Sequence, residues 1–173
     1  MPFTKDPGLP RLPKYSPQDL VSISVHDNFV YAQAVDYGHG RIVLHTVYAD
    51  AEPHEYTDVV FDGVLACHLE QEQFGRSPYG ANILFDVKEA ELKNTLGQYG
   101  ELLARTKNYA WPILEYETVE DLVKKLTASG AKCFEVHSSF GLCGFVIATS
   151  LEIRPRKSRA KAIAFELENP STK

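Results

Sequence analysis

The chain has 173 residues but only one methionine (the initiator), one tryptophan and three cysteines. Three thiols, Cys67, Cys133 and Cys143, are too few and odd in number for a disulfide framework, which points to a reducing, cytoplasmic compartment. No apolar run approaches the roughly 20 residues that a helical membrane span requires. "MPFTKDPGLPRLPKYSP" also lacks the hydrophobic centre of a secretory leader, so no membrane partner is expected. HxH, HExxH and CxxC spacings are missing, as is a G-x-S-x-G elbow. Without them the chain has no strong metal or nucleophile motif, and the expectation is a protein that needs no cofactor. "YGHGR" is glycine-rich, but no helix follows to present amides to a phosphate, so it reads as a hairpin. Repeats at the period of solenoids are absent too.

What is present suits one soluble globular domain. Apolar residues make up 44% and charged residues 24% of the chain, which argues against wholesale disorder. The formal charge of −5 is unevenly spread. Residues 154–161, "RPRKSRAK", carry five of the 18 basic residues, and the remainder has 13 basic against 23 acidic, a net of −10. Phosphate binding needs clustered cations over much of a surface, so an acidic body with one basic strip disfavours a general nucleic-acid binder and accommodates a basic protein partner. Strip lysines and arginines also suit a solvated turn that protects a strand edge.

The pattern along the chain is α+β. Residues 1–19 hold five of the ten prolines and read as an N-terminal arm, residues 20–168 as a single domain, and 169–173 as a tail. Val21, Ile23 and Val25 alternate with serines as in a half-wet strand. "FVYAQAVDY", the "GHG" turn and "RIVLHTVY" predict a hairpin whose second strand is covered on both faces. "TDVVFDGVLACHLEQE" (57–72) predicts one long strand bulged at Gly63, completing a meander of about four strands. "ANILFDV" (81–87) follows. Leu92, Leu96, Tyr99 and Leu103 then form a helical stripe, with Asp86 and Glu89 resembling a capping box. Thr118 with Asp121 caps a second helix that Gly130 stops. "AKCFEVH" and "LCGFVIATSLEIRP" close a hairpin around "SSFG", and Ile163, Phe165 and Leu167 suggest a last strand. Alternating strand–helix units are absent, which removes a dinucleotide-binding reading.

Candidate functional residues follow from this layout. His26 and Asp27 are adjacent at a strand boundary. Extended backbone would send their side chains to opposite faces, so turn chemistry is the first reading and a binding role the second. His68, Glu70 and Glu72 share one strand face, with Asp62 further along it, and are the better histidine–carboxylate group. His45 on a neighbouring strand, joined to His68 and Glu70, would supply the ligands of a small metal-assisted hydrolase. Arg156 and Lys157 are the candidate contacts of a nucleic-acid accessory protein. Cys143 near His137 invites a thiol–imidazole pair, although free cysteines are more simply buried apolar residues. Tyrosines at strand ends and loops supply flat, amphipathic contact area.

The order from His26 to Leu69, a His-Asp step, then "RIVLHTVY", then "VVFDGVLACHLE", resembles small β-rich families of bacterial polymorphic-toxin immunity proteins and related bacterial domains. In those families His-Asp begins a sheet and a later F-x-x-V segment pairs with it. His26, Asp27, Phe61 and Val64 are the matching residues here. The resemblance covers about a quarter of the chain. It implies a non-enzymatic, partner-binding protein whose acidic surface opposes a basic toxin, with no catalytic residues to carry over. The leading expectation is therefore a cytoplasmic, non-enzymatic protein-binding domain, compatible with a homodimer through free strand edges. The metal-assisted hydrolase and the nucleic-acid accessory protein stand as the alternatives.

Overall fold

The computed structural model describes residues 24–71, 82–100 and 116–160. Among them are eight strands: β1 (Phe29–Asp36), β2 (Arg41–Tyr48), β3 (Glu55–Asp62), β4 (Ala66–Gln71), β5 (Asn82–Ala90), β6 (Lys132–Phe140), β7 (Leu142–Ala148) and β8 (Ser150–Arg156). Two helices, α1 (Leu92–Gln98) and α2 (Val119–Ala128), lie between β5 and β6 in the chain. All eight strands join one antiparallel sheet in the order β4-β7-β6-β5-β1-β2-β3-β8, which makes the fold α+β and strand-dominated. No helix among the described residues is long and apolar enough to cross a membrane.

The first strand of the predicted meander, over Val21, Ile23 and Val25, falls mostly outside the described residues, and the long strand predicted over 57–72 is two strands. β1, β2 and β3 are neighbours, but β4 pairs with β7 at the other end of the sheet. The run from 57 to 72 breaks where Gly63 adopts φ +64, and a Cβ there would overlap the Thr149 side chain. That conformation is open to glycine at little cost, so the strand turns a corner instead of bulging. The partner run is cut opposite this corner, between β7 and β8. Backbone bonds Leu65 N→Ile147 O (2.8 Å) and Thr149 N→Asp62 O (3.0 Å) staple the two corners together. Since β3 neighbours the end strand β8, and Gly63, Val64 and Leu65 alone separate it from β4 at the opposite end, the sheet coils until its ends are joined by chain.

Coiling gives the sheet an inside and an outside, each with its own core. Ile42, Leu44, Val59, Phe61, Leu84, Val136 and Val146 meet inside. Alternate residues of β6 and β7, Cys133, Phe145 and Ile147, face outward and are covered by Leu96, Leu122 and Leu126 of the helices. The period-two pattern of the strands and the 3.6-residue stripe of α2 therefore meet at one interface. β2 is buried along most of its length, as its doubly apolar sequence requires.

Local signals place most of the ends. The β1–β2 turn spans Tyr37–Gly40, with Gly40 at φ +59. Thr118 accepts a hydrogen bond from the Asp121 amide at 3.2 Å, and Gly130 ends α2 at φ +76. The expected capping box does not form: Asp86 and Glu89 belong to β5, and Glu91 is the N-cap of α1 with no side-chain cap. Strand pairing with β6 extends β5 through both acids and overrides that local signal. The arm 1–19, Val21 and Ile23, Glu72, Leu103, the 163–167 alternation and the tail lie outside the described residues.

Candidate functional site

His26 and Asp27 occupy a tight turn closed by Asn28 N→Val25 O (3.1 Å), and Asp27 has φ +62. Asp and Asn tolerate the left-handed region better than other non-glycine residues because their short polar side chains can bond locally. The reading as turn chemistry holds, but the divergence expected of extended chain does not. His26 Nδ1 lies 2.8 Å from Asp27 Oδ2, and because a carboxylate only accepts, the imidazole N–H donates. The turn is fixed to β5 by Asp27 N→Leu84 O and Leu84 N→Asn28 O, both 2.9 Å.

That attachment brings the His26 ring to 4.8 Å from Phe85. The β5–β6 ladder shifts register twice in succession, between Ile83 and Leu84 and between Leu84 and Asp86. Consecutive bulges re-aim side chains that regular alternation would bury. Leu84 remains in the core, whereas Phe85 is 52% exposed and Phe140, beside the β6–β7 turn and opposite Ile83, is 50% exposed. Two phenylalanines, an imidazole and the Asp27 carboxylate thus share one end of the β5–β6 pair. The warning in the sequence is the triplet Ile83-Leu84-Phe85, one apolar residue too many for a strand with a wet face.

A second group sits on β1, β2, β3 and β8. His45 Nδ1 donates to Asp58 Oδ1 at 2.7 Å, and Arg156 Nη1 donates to Asp58 Oδ2 at 2.9 Å. The His45 side chain is 9% exposed, and its Nε2 is buried without a hydrogen-bond partner. Tyr31 stacks on it at 6.2 Å and accepts from the Ala160 amide at 2.7 Å, while the Arg159 guanidinium lies 4.9 Å over the Tyr31 ring. Arg156 is thus committed to a carboxylate of its own sheet, and Arg154 bonds Glu152 at 2.6 Å, so much of the basic strip is neutralised internally. Lys157 is exposed just beyond β8.

The third group lies beside α1 on β4 and β6. His68 Nε2 donates to Glu70 Oε1 at 2.8 Å, as expected of residues two apart on one strand face. The His68 ring packs against Tyr99 (5.2 Å) and Phe145 (6.1 Å). Glu135 accepts from the Thr95 hydroxyl at 2.7 Å and from His137 at 3.1 Å, and the Thr95 bond, with His137 behind it, holds its carboxyl below the usual range. The Tyr99 phenol is pushed up, by burial first and by the nearby Glu70 carboxylate second. Cys143 is exposed on β7 opposite Glu70, and Cys133 is buried.

The structure does not join His45 to His68. The first is bound to Asp58 of β3 and the second to Glu70 of β4, so each imidazole is committed to a different carboxylate. The hydrolase ligand set of His45, His68 and Glu70 is therefore not assembled, and no cluster of three metal-ligating side chains occurs among the described residues. Asp62, expected on the His68 face, lies across the Gly63 corner and binds Arg41. Tyr56 and Tyr31 pack edge to face at 6.2 Å and Tyr116 is buried, so these tyrosines close the structure, whereas Tyr37 at the hairpin tip is 92% exposed. No protein-family model, curated protein or solved structure matches the chain.

Proposed function

We propose that the chain is a non-enzymatic protein-binding domain of the bacterial, immunity-like kind suggested by the His26–Leu69 resemblance, and that it docks its partner on the His26–Phe85–Phe140 patch. One observation carries the reading: two half-exposed phenylalanines, Phe85 and Phe140, flank a doubly bulged stretch of the β5–β6 pair whose Leu84 is fully buried. Aromatic side chains add large contact area with few rotors to freeze, which is why they dominate binding hot spots. His45, His68 and His137 are each bonded to a carboxylate of the sheet and are given no reacting role.

The test is photo-cross-linking in the native cells with a benzophenone amino acid at position 85, and separately at 140. Both positions should yield an adduct with the same protein, and an exposed control position, Glu120 on α2, should not. Reconstituted from purified components, the complex should weaken by about tenfold or more with Phe140→Ser, the loss expected of a hot-spot aromatic. Absence of adducts at both positions, or a complex indifferent to Phe140→Ser, would refute the reading.

A further inference from the structure

We infer that the patch takes a cationic, apolar segment of its partner, a stretch in which lysine or arginine alternates with aliphatic or aromatic residues. This rests on the proposed docking role and adds the chemistry of what docks. Among the described residues, four of the five lysines and arginines on strands are paired with the chain's own carboxylates: Arg41 with Asp62, Lys132 with Glu89, Arg154 with Glu152 and Arg156 with Asp58.

At the patch the balance is reversed. Among the described residues Asp27 is bonded by the His26 imidazole and by no lysine or arginine, and its side chain is 56% exposed. Asp86, the residue after Phe85, is exposed and stands opposite His137 in the ladder, with no side-chain hydrogen bond or ion pair among the described residues. The nearest cation along β5, Lys88, stands opposite Glu135 in the ladder. Among the described residues, two carboxylates that no lysine or arginine pairs therefore lie beside the half-exposed Phe85, each with an imidazole as its neighbour. An ammonium or guanidinium between Asp27 and Asp86 would gain both carboxylates and lie against the electron-rich face of Phe85. An aliphatic neighbour on the same segment would cover Phe140. An acidic partner would meet like charge beside an apolar surface and be rejected, which is how charge arrangement confers specificity.

The experiment is selection from a displayed library of random linear peptides against the full chain. Counter-selection uses the Phe85→Ser, Phe140→Ser double variant. Enriched peptides should carry lysine or arginine next to apolar residues. Their affinity should fall about tenfold in Asp27→Asn, Asp86→Asn, a variant that removes both charges and keeps a residue tolerant of positive φ at position 27. Raising the salt concentration should reproduce part of that loss in the wild type and none of it in the variant. Patch-dependent peptides that are uncharged or acidic, or basic ones indifferent to the double Asn variant, overturn the cationic assignment and leave docking at the patch standing. Failure to enrich any patch-dependent peptide overturns both. Sedimentation of the unliganded chain adds one more outcome: a dimer dissociated by Phe85→Ser assigns the patch to a second copy and overturns the inference.

Discussion

At the scale of single residues, the tightest constraint is at Gly144. It adopts φ +139, and a Cβ there would overlap the His68 carbonyl oxygen of the neighbouring strand. A side chain at this position must overcome both backbone strain and a backbone clash that no rotamer relieves. Gly144→Ala is expected to cost roughly 2–4 kcal/mol, read as a lower urea midpoint with an unchanged slope. A loss below about 0.5 kcal/mol would show that β4 and β7 separate more easily than this geometry requires. Asp58 is the second such residue because it serves two donors at once. Asp58→Ala strands a buried His45 N–H and frees Arg156, so a loss of roughly 2–3 kcal/mol is expected from the unmet donors. Arg156→Gln should cost less, because its side chain is a third exposed and water replaces its partner.

At the scale of elements, the packing of α1 on β6 gives a pH signature. Glu135 is held below its ordinary pKa, first by the Thr95 hydroxyl and then by His137. A carboxyl whose folded pKa is depressed stabilises the fold above its unfolded value, and the contribution is lost as pH falls through the folded one. Thr95→Val, which keeps the volume and deletes the donor, should therefore cost stability at neutral pH. The difference from wild type should shrink as the pH is lowered through the carboxylate range. A difference that stays constant with pH would mean that Thr95 acts through packing alone. The helix caps show why some elements were legible in the sequence and others were not. Thr118 and Gly130 bound α2 because their partners lie within a few residues, and Thr118→Ala should cost about 1 kcal/mol. The Asp86–Glu89 signal was equally local but false, since β6, more than 40 positions downstream, claimed both residues for its ladder. The His26–Asp27 contact escapes a period-two rule for the opposite reason, because both residues leave that period at a turn. Phe85 and Phe140 are half-exposed beside two bulges that no spacing rule would locate, although the Ile83-Leu84-Phe85 triplet marks the place.

At the scale of the whole molecule, the two cores share strands and are expected to melt together. β6 and β7 send Phe134, Val136 and Val146 inward and Cys133, Phe145 and Ile147 outward under the helices, so neither layer can loosen without disturbing the other. The Gly63–Thr149 seam ties the ends of the sheet to the same strands. The cysteines report on this directly, because Cys67 and Cys143 are exposed and Cys133 is buried beneath the helices. An aromatic disulfide reagent should titrate two thiols in the native protein and the third only on unfolding. Across a urea series, labelling of Cys133 should follow the loss of far-UV ellipticity at a single midpoint, as two-state unfolding requires. Gly63→Val, which forces a β-branched side chain onto positive φ and into Thr149, should lower both midpoints equally although it lies outside the helix layer. If Cys133 instead labels at a urea concentration where ellipticity is intact, the helices leave the sheet on their own, and the seam does not couple the two cores.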